Sequence, residues 1–484
     1  MWLDLDGDGP LHRQTYRAMR TAVLAGRLAR GARLPSSRTL ARDLGVARNT
    51  ILQAYEQLVA EGYAVTRPGS GTYVSEPLGA GDTRPVPVRS GGAGPPATLS
   101  RYGERLRSAA TPRGLGWEPR GPRLPYDFRY GEPAYADLPY ASWCRTLARC
   151  ARKSTRRELH YGHPAGDPSL REALAAYLCR SRGVVCTPEQ IVIVHGSQQA
   201  IDLAIRLLVD PGDRVVTEDP NYGGLDLALS AARAEIVPLR VDDAGLCVAD
   251  LPEDGARLVC ITPSHQFPTG AVMPASRRLE LLAWASRHDT FVLEDDYDGE
   301  FRFDGRPLES LQGLDSGGRV LYVGTVSKVL FPSLRIGYVV APPVLAEPLA
   351  HAKALTDTGG SSLEQRALAE FVASGAFERH LRRSRGRHAA RRRALLEATD
   401  EHLGDAVRIG GANAGLHVVL WIRGAPPQRV AEVRRRAAGV GVGVYSVHPF
   451  YRSPAPGAGL LLGFGALTED EIREGIRRLA NVLG

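Results

Sequence analysis

The sequence predicts an α/β protein in two parts: a small helical head that ends in a hairpin, and a large domain built on a mostly parallel sheet covered by helices. Three observations carry this expectation. At 484 residues the chain is too long for one ordinary core, so two or three domains are expected. Residues 1–75 hold three segments with helical spacing followed by two short extended runs. From about residue 126 onward, short apolar runs alternate with helical patterns, which is the arrangement that builds a parallel sheet.

Bulk properties exclude several classes. No stretch approaches the roughly 18 uninterrupted apolar residues of a membrane span. The opening M-W-L-D-L-D-G-D-G is acidic where a signal peptide would be basic and then apolar, so a cytoplasmic location is expected. The six cysteines form no CxxC pair and no cluster with histidine, which suggests neither a metal site nor a disulfide framework. A net charge of +8 is compatible with nucleic-acid binding without establishing it.

In the head, Leu11 to Ala25 has apolar positions at helical spacing (Leu11, Tyr16, Met19, Val23), with Gly26 as the stop. Ser36 or Ser37 can cap a second helix over Arg38 to Leu44, after which Gly45 turns the chain. A third helix, Arg48 to Glu61, would bury Ile51, Tyr55 and Leu58. Two helices joined by a glycine turn are the helix-turn-helix pattern. The extended runs Ala64 to Arg67 and Gly71 to Val74, joined through Pro68, Gly69 and Ser70, read as a hairpin wing. Arg48, Asn49 and Thr50 open the third helix where a recognition helix would meet base edges and phosphates. A small domain whose polar face is merely wet has the same spacing.

Residues 76–125 are rich in Gly, Pro, Ser and Arg and read as a flexible linker, with a short helix around Tyr102 to Ala109. The large domain then occupies 126–484. Helices are expected over Ser169 to Ser181, Gln198 to Val209, Leu225 to Ala232 and Ala275 to Arg287. Between them fall the apolar runs Ile191 to Val194, Arg214 to Glu218, Glu235 to Leu239, Leu258 to Ile261 and Thr290 to Glu294. In such folds ligands gather at the carboxyl ends of the strands.

The chemically suggestive residues fall at those ends. Lys328 is one of three lysines, with Lys153 and Lys353, in a chain whose positive charge is otherwise arginine. A lysine amine can be desolvated and used as a nucleophile toward an aldehyde, which a guanidinium cannot. It lies between the apolar runs Val320 to Val323 and Ile336 to Val340, beside Thr325 and Ser327, with Arg335 seven residues on. His195, Gly196, Ser197 and Gln198 lead into a helix, whose N-terminus is an anion site or simply a capped end. Tyr222, on the turn D-P-N-Y-G-G, can stack on a planar ring or only pack. Glu294, Asp295 and Asp296 end a strand as three adjacent carboxylates, which repel unless something positive binds beside them. A surface acidic cluster or a Mg²⁺ site is the rival, although no Gly-Lys-Ser/Thr phosphate loop accompanies it. Together these residues make up the inventory that pyridoxal 5'-phosphate needs: a lysine for the Schiff base, a carboxylate for the ring nitrogen, and N–H groups with a guanidinium for the phosphate.

Longer motifs sharpen both halves. The run L-P-S-S-R-T-L-A-R-D-L-G-V-A-R-N-T-I-L-Q-A-Y, followed by R-P-G-S-G-T-Y-V, resembles the winged helix-turn-helix of GntR-type bacterial transcription factors. That resemblance implies DNA contacts from Arg38, Arg48, Asn49, Thr50 and Gly69, while Leu52 stands where some members carry a further arginine. Y-G-H-P-A-G-D-P-S-L-R-E-A-L, G-S-Q-Q-A-I, E-D-P-N-Y, T-P-S-H-Q-F-P-T-G, E-D-D-Y-D and S-K-V-L-F-P-S-L-R-I-G-Y, in this order, resemble a fold-type I, class I aminotransferase-like domain that binds pyridoxal 5'-phosphate. Joined, the two halves are similar to the MocR subfamily of regulators.

The resemblance implies roles. Lys328 would attach the cofactor, Asp295 would pair with the ring nitrogen, Tyr297 would hold the ring oxygen and Tyr222 would stack. Ser197, Gln198, Thr325, Ser327 and Arg335 would surround the phosphate, and Tyr161 would reach the phosphate of a neighbouring subunit in a homodimer. Two departures stand out. Phe267 replaces the asparagine that usually precedes P-T-G, so Tyr297 is expected to act without that help. Leu461 replaces the arginine that clamps a substrate carboxylate, a loss on the order of 2 to 5 kcal/mol of binding, with Arg452 as a substitute close by in sequence. A PLP-dependent regulator that binds operator DNA and senses PLP or an amine, with control of vitamin B6 synthesis among its uses, is therefore expected ahead of a working aminotransferase with a DNA-binding appendage.

Overall fold

The computed structural model describes residues 3–75, 98–108, 123–156, 158–303 and 309–483, so most of the expected linker, 76–125, lies outside the described residues. The chain divides into two compact units, 1–98 and 99–484.

The first unit has helices Leu11–Leu24, Ser37–Leu44 and Arg48–Ala60, followed by strands Ala64–Arg67 and Gly71–Val74 paired antiparallel. Ser36 is the cap of the second helix: its side chain accepts the Thr39 N–H at 3.1 Å. Gly45 ends that helix at φ 68°, a left-handed conformation that glycine adopts without the Cβ penalty. Met19, Leu40, Ile51 and Leu58 are fully buried at the centre. Leu11 departs from the expectation and is 48% exposed. The buried stripe of its helix runs through Thr15, Met19, Ala22 and Val23, and Leu11 sits one turn before any neighbour covers it.

The second unit centres on an eight-stranded sheet in the order Ile191–Val194, Gly337–Val340, Val320–Thr325, Phe291–Asp296, Leu258–Ile261, Arg214–Asp219, Glu235–Asp242, Gly245–Leu246. Neighbours from Val320–Thr325 through to Glu235–Asp242 are parallel. Gly337–Val340 runs antiparallel to both its neighbours. It is joined to Val320–Thr325 by a single loop, so both ends of that loop sit at the carboxyl edge of the parallel strands. Lys328 and Arg335 are on it. Helices Ser197–Leu208, Gly223–Ala232 and Ala275–Arg287 begin at the same edge or cover the sheet. Helix Arg101–Ser108 belongs to this unit, where the Arg105 guanidinium donates to the Ala231 carbonyl at 2.8 Å. A smaller antiparallel sheet orders Val407–Gly410, His417–Ile422, Ala458–Gly463 and Tyr445–Ser446. Leu420, Leu460 and Ile476 bury its face under helices Ala376–Leu403 and Glu469–Leu483. No helix among the described residues is long and apolar enough to cross a membrane.

The single-bond cap at Ser36 makes a direct test of the head. Ser36→Ala is expected to destabilise it by about 1 kcal/mol, read as a shift of its unfolding transition in the full chain.

Candidate functional site

A cavity of about 410 Å³ opens at the carboxyl edge of the large sheet. It brings together Lys328, Asp295, Tyr297, Tyr222, Ser197, Gln198, Thr325, Ser327 and Arg335. Tyr161 is not among its lining residues. That side chain is 82% exposed, in a shallow depression beside Leu159, Thr358 and Ser361.

The three acidic residues separate because a strand alternates its side chains. Glu294 and Asp296 face away from the cavity. The Glu294 carboxylate accepts the Leu311 and Gln312 N–H groups at 2.8 and 2.9 Å. Asp296 is gripped by the buried Arg182 guanidinium, whose Nε lies 2.8 Å from Oδ2, and accepts the Tyr322 hydroxyl at 2.6 Å. Asp295 points the other way, into the cavity. Burial, then the nearby Asp296 and Asp298 charges, push its carboxyl up to about 7. Ser197 offers it a hydrogen bond, yet its Oδ1 has no partner. A buried carboxylate oxygen without a donor is costly, and a protonated ring nitrogen would relieve it.

The loop between the antiparallel strands supplies the cations. The Lys328 ammonium donates to the Gly131 carbonyl at 3.2 Å, so the segment around Tyr130 and Gly131 closes one side of the cavity. Arg335 adopts φ 53°, a left-handed conformation that a non-glycine residue holds only when its surroundings over-determine it. Its guanidinium donates to the His195 carbonyl at 2.6 Å. A Cβ on Gly196 would stand 3.1 Å from that guanidinium, and Gly196 itself lies at φ 82°. The guanidinium therefore lies against the start of helix Ser197–Leu208, whose first N–H groups lack intrahelical partners. Thr325 Oγ1 donates to Ser327 Oγ at 3.0 Å on the same side. These are the elements of a phosphate cradle.

Tyr222 and Phe267 meet edge to face at 6.4 Å, and Phe267 meets Tyr297 likewise at 6.0 Å. Tyr297 has no asparagine beside it and pairs with His265 instead. The Tyr297 hydroxyl donates to the His265 carbonyl and lies 3.0 Å from its Nδ1, so help comes from two residues before Phe267. Behind it, His265 Nδ1 is 3.0 Å from Asp298 Oδ2, and the His265 and His417 rings lie 4.7 Å apart. Burial and then His265 drive His417 down to about 3, which keeps it neutral. His265, Asp298 and His417 escaped the sequence reading because nothing in their separate surroundings links them. The S-H-Q-F motif was the available signal for His265.

Two carboxylate-clamp expectations resolve differently. Leu461 is fully buried against Val419, Val447 and Phe450. Arg452 is corrected as its substitute: its Nε donates to both Asp226 oxygens at 3.1 and 3.0 Å, and it does not line the cavity. In the head, Arg38, Arg48 and Asn49 are exposed, Thr50 is half-buried, and Gly69 forms the exposed hairpin tip at φ 72°.

The donor set suits pyridoxal 5'-phosphate, by the partnerless Asp295 oxygen and the Gly196 cradle. Comparison with known proteins agrees with both halves. Residues 127–479 match the family model "Aminotransferase class I and II", and residues 11–74 match "Bacterial regulatory proteins, gntR family". The chain thus belongs to the MocR-type transcriptional regulators, in which a gntR-family DNA-binding head precedes an aminotransferase-like unit. It is 41% identical to the probable rhizopine catabolism regulatory protein MocR of Rhizobium meliloti, over 99% of this chain and 94% of that protein. It is 32% identical to the pyridoxine biosynthesis transcriptional regulator PdxR of Corynebacterium glutamicum, over 95% and 93%. Among solved structures, a kynurenine aminotransferase of Pyrococcus horikoshii, in complex with PMP, superposes with a TM-score of 0.69 at 31% identity, covering 75% of this chain and 91% of that one.

The Asp295 carboxyl has a pH signature. Its folded-state value, about 7, lies above the ordinary 3.8, so its favourable share of stability is complete below about 4 and is lost as pH rises through 7. In cofactor-free protein, the stability of wild type relative to Asp295→Asn is expected to fall by on the order of 1–2 kcal/mol between about pH 5 and about pH 7. Denaturant unfolding at both pH values measures it.

Proposed function

We propose that the cavity holds pyridoxal 5'-phosphate and that its occupancy sets the affinity of the head for operator DNA. The observation that carries this reading is the convergence of Lys328, the partnerless Asp295 oxygen and the Arg335–Gly196 cradle in one cavity on a chain with a gntR-family head. When bound, the cofactor supplies an aldehyde able to capture amines. Lys328 would hold it covalently, Asp295 would keep the ring nitrogen protonated, and Tyr297 would turn its hydroxyl proton from the His265 carbonyl to the ring oxygen. Tyr222 lies against the ring face. Ser197, Gln198, Thr325, Ser327 and Arg335 bind the phosphate.

The effector is PLP itself or an amine-bearing metabolite. One relative is named for pyridoxine biosynthesis and another for rhizopine catabolism, which supports a small-molecule signal and makes control of vitamin B6 synthesis one candidate. A ligand that binds one arrangement of the chain better than another shifts the population toward it, and with it the affinity for DNA. The protein acts as a cytoplasmic homodimer, in which exposed Tyr161 completes the phosphate site of the partner subunit.

Arg38, Arg48, Asn49, Thr50 and Gly69 form the DNA-contacting face. Arg48→Ala is expected to weaken operator binding by about 1–3 kcal/mol, measured by titration at fixed salt. The reading as a whole is tested by operator binding of the cofactor-free protein with and without PLP and with a panel of amines. A change in affinity with PLP or an amine is expected, and no response to any of them contradicts the sensor role.

A further inference from the structure

The cavity also carries information about what it admits. Among the described residues that line it, Arg335 is the one guanidinium, and it is held at the phosphate end against the His195 carbonyl. Three other groups could have supplied a clamp for a carboxylate, and each is spent. Leu461 is an apolar side chain sealed between Val419 and Phe450. Arg452 is bound through Nε to Asp226, while its backbone N–H donates to Asp219 Oδ1 at 2.8 Å. Arg129 lies 2.9 Å from Asp127, donates to the Tyr445 hydroxyl at 3.1 Å and stands 3.7 Å from Glu132.

Away from the phosphate end and Lys328, the described lining is mostly aromatic, apolar or acidic, with Thr262 and the neutral His417 as uncharged polar groups. Tyr130, Phe267 and Leu416 supply apolar surface, and Glu132 and Asp298 supply carboxyl groups. A carboxylate entering such a space loses its hydration and meets negative charge; of the two cations among the described lining residues, Arg335 is held at the phosphate end and Lys328 is taken up by the cofactor. An amine faces no such barrier, because Lys328 and the cofactor already form an amine-exchanging pair.

We infer that the effector of this site is a primary amine with no carboxylate on the carbon that bears the nitrogen. The inference rests on the cofactor reading above and narrows its ligand to one chemical class. Binding exchanges one carbon–nitrogen double bond for another at the cofactor's carbonyl carbon. The incoming nitrogen replaces that of Lys328, which leaves as a free amine, and nothing is oxidised or reduced. The aromatic side chains favour an amine with an apolar or ring-shaped body.

The test uses the full-length, cofactor-loaded protein and matched pairs that differ only in the carboxylate: tyramine against tyrosine and putrescine against ornithine. Visible absorbance of the bound cofactor and affinity for operator DNA are both read. The amine of at least one pair is expected to bind about tenfold or more tightly than its amino acid. Amino acids that bind as tightly as their amines overturn the inference and leave the cofactor reading standing, as does a loaded protein that answers neither set. A protein that takes up no cofactor at all overturns both.

Discussion

The site depends on one buried ion pair. Arg182 and Asp296 are each almost fully enclosed, and the guanidinium also donates to the Gly299 carbonyl at 2.9 Å and the Ser264 hydroxyl at 3.0 Å. Gly299 is required there, because a Cβ would stand 2.1 Å from Asp296 and 2.4 Å from the guanidinium. Breaking such a pair by removing one partner typically costs about 3–5 kcal/mol, since the other charge is left buried alone. The pair pins strand Phe291–Asp296 in register. With the register fixed, alternation sends Asp295 to the opposite face and into the cavity. A slip of one residue would turn Asp295 away and bring its neighbours in its place.

The same strand end ties the two halves of the site together. Arg182 reaches Ser264, which immediately precedes His265, and His265 braces the Tyr297 hydroxyl. The phosphate side is built independently, from the loop that reverses the chain into Gly337–Val340 and from the helix that begins at Ser197. Strain at Arg335 and the absence of a side chain at Gly196 are the local costs of placing a guanidinium against a helix terminus.

Much of this was legible in the sequence. Short apolar runs gave Ile191–Val194 and Leu258–Ile261 their bounds, and the motif order singled out Lys328, Asp295, Tyr222 and Arg335, all of which line one cavity. What escaped depends on distance in the chain. Arg182 precedes a glycine at a helix end and looks like any solvated last-turn arginine until the fold buries it. His417 meets His265 across about 150 residues, and Gly131 reaches Lys328 across nearly 200, so no local spacing could announce either contact. Arg452 failed for the converse reason. Nearness in sequence to the expected clamp position suggested a role, but Asp226 captures it from the side.

The assignment of Lys328 as the group that holds a carbonyl cofactor is open to a chemical test, because the chain has only three lysines. The protein is loaded with PLP, reduced with borohydride and digested, and the peptides are weighed. The added mass is expected on the peptide containing Lys328 alone. Label on Lys153 or Lys353, or no label on any of the three, would contradict it.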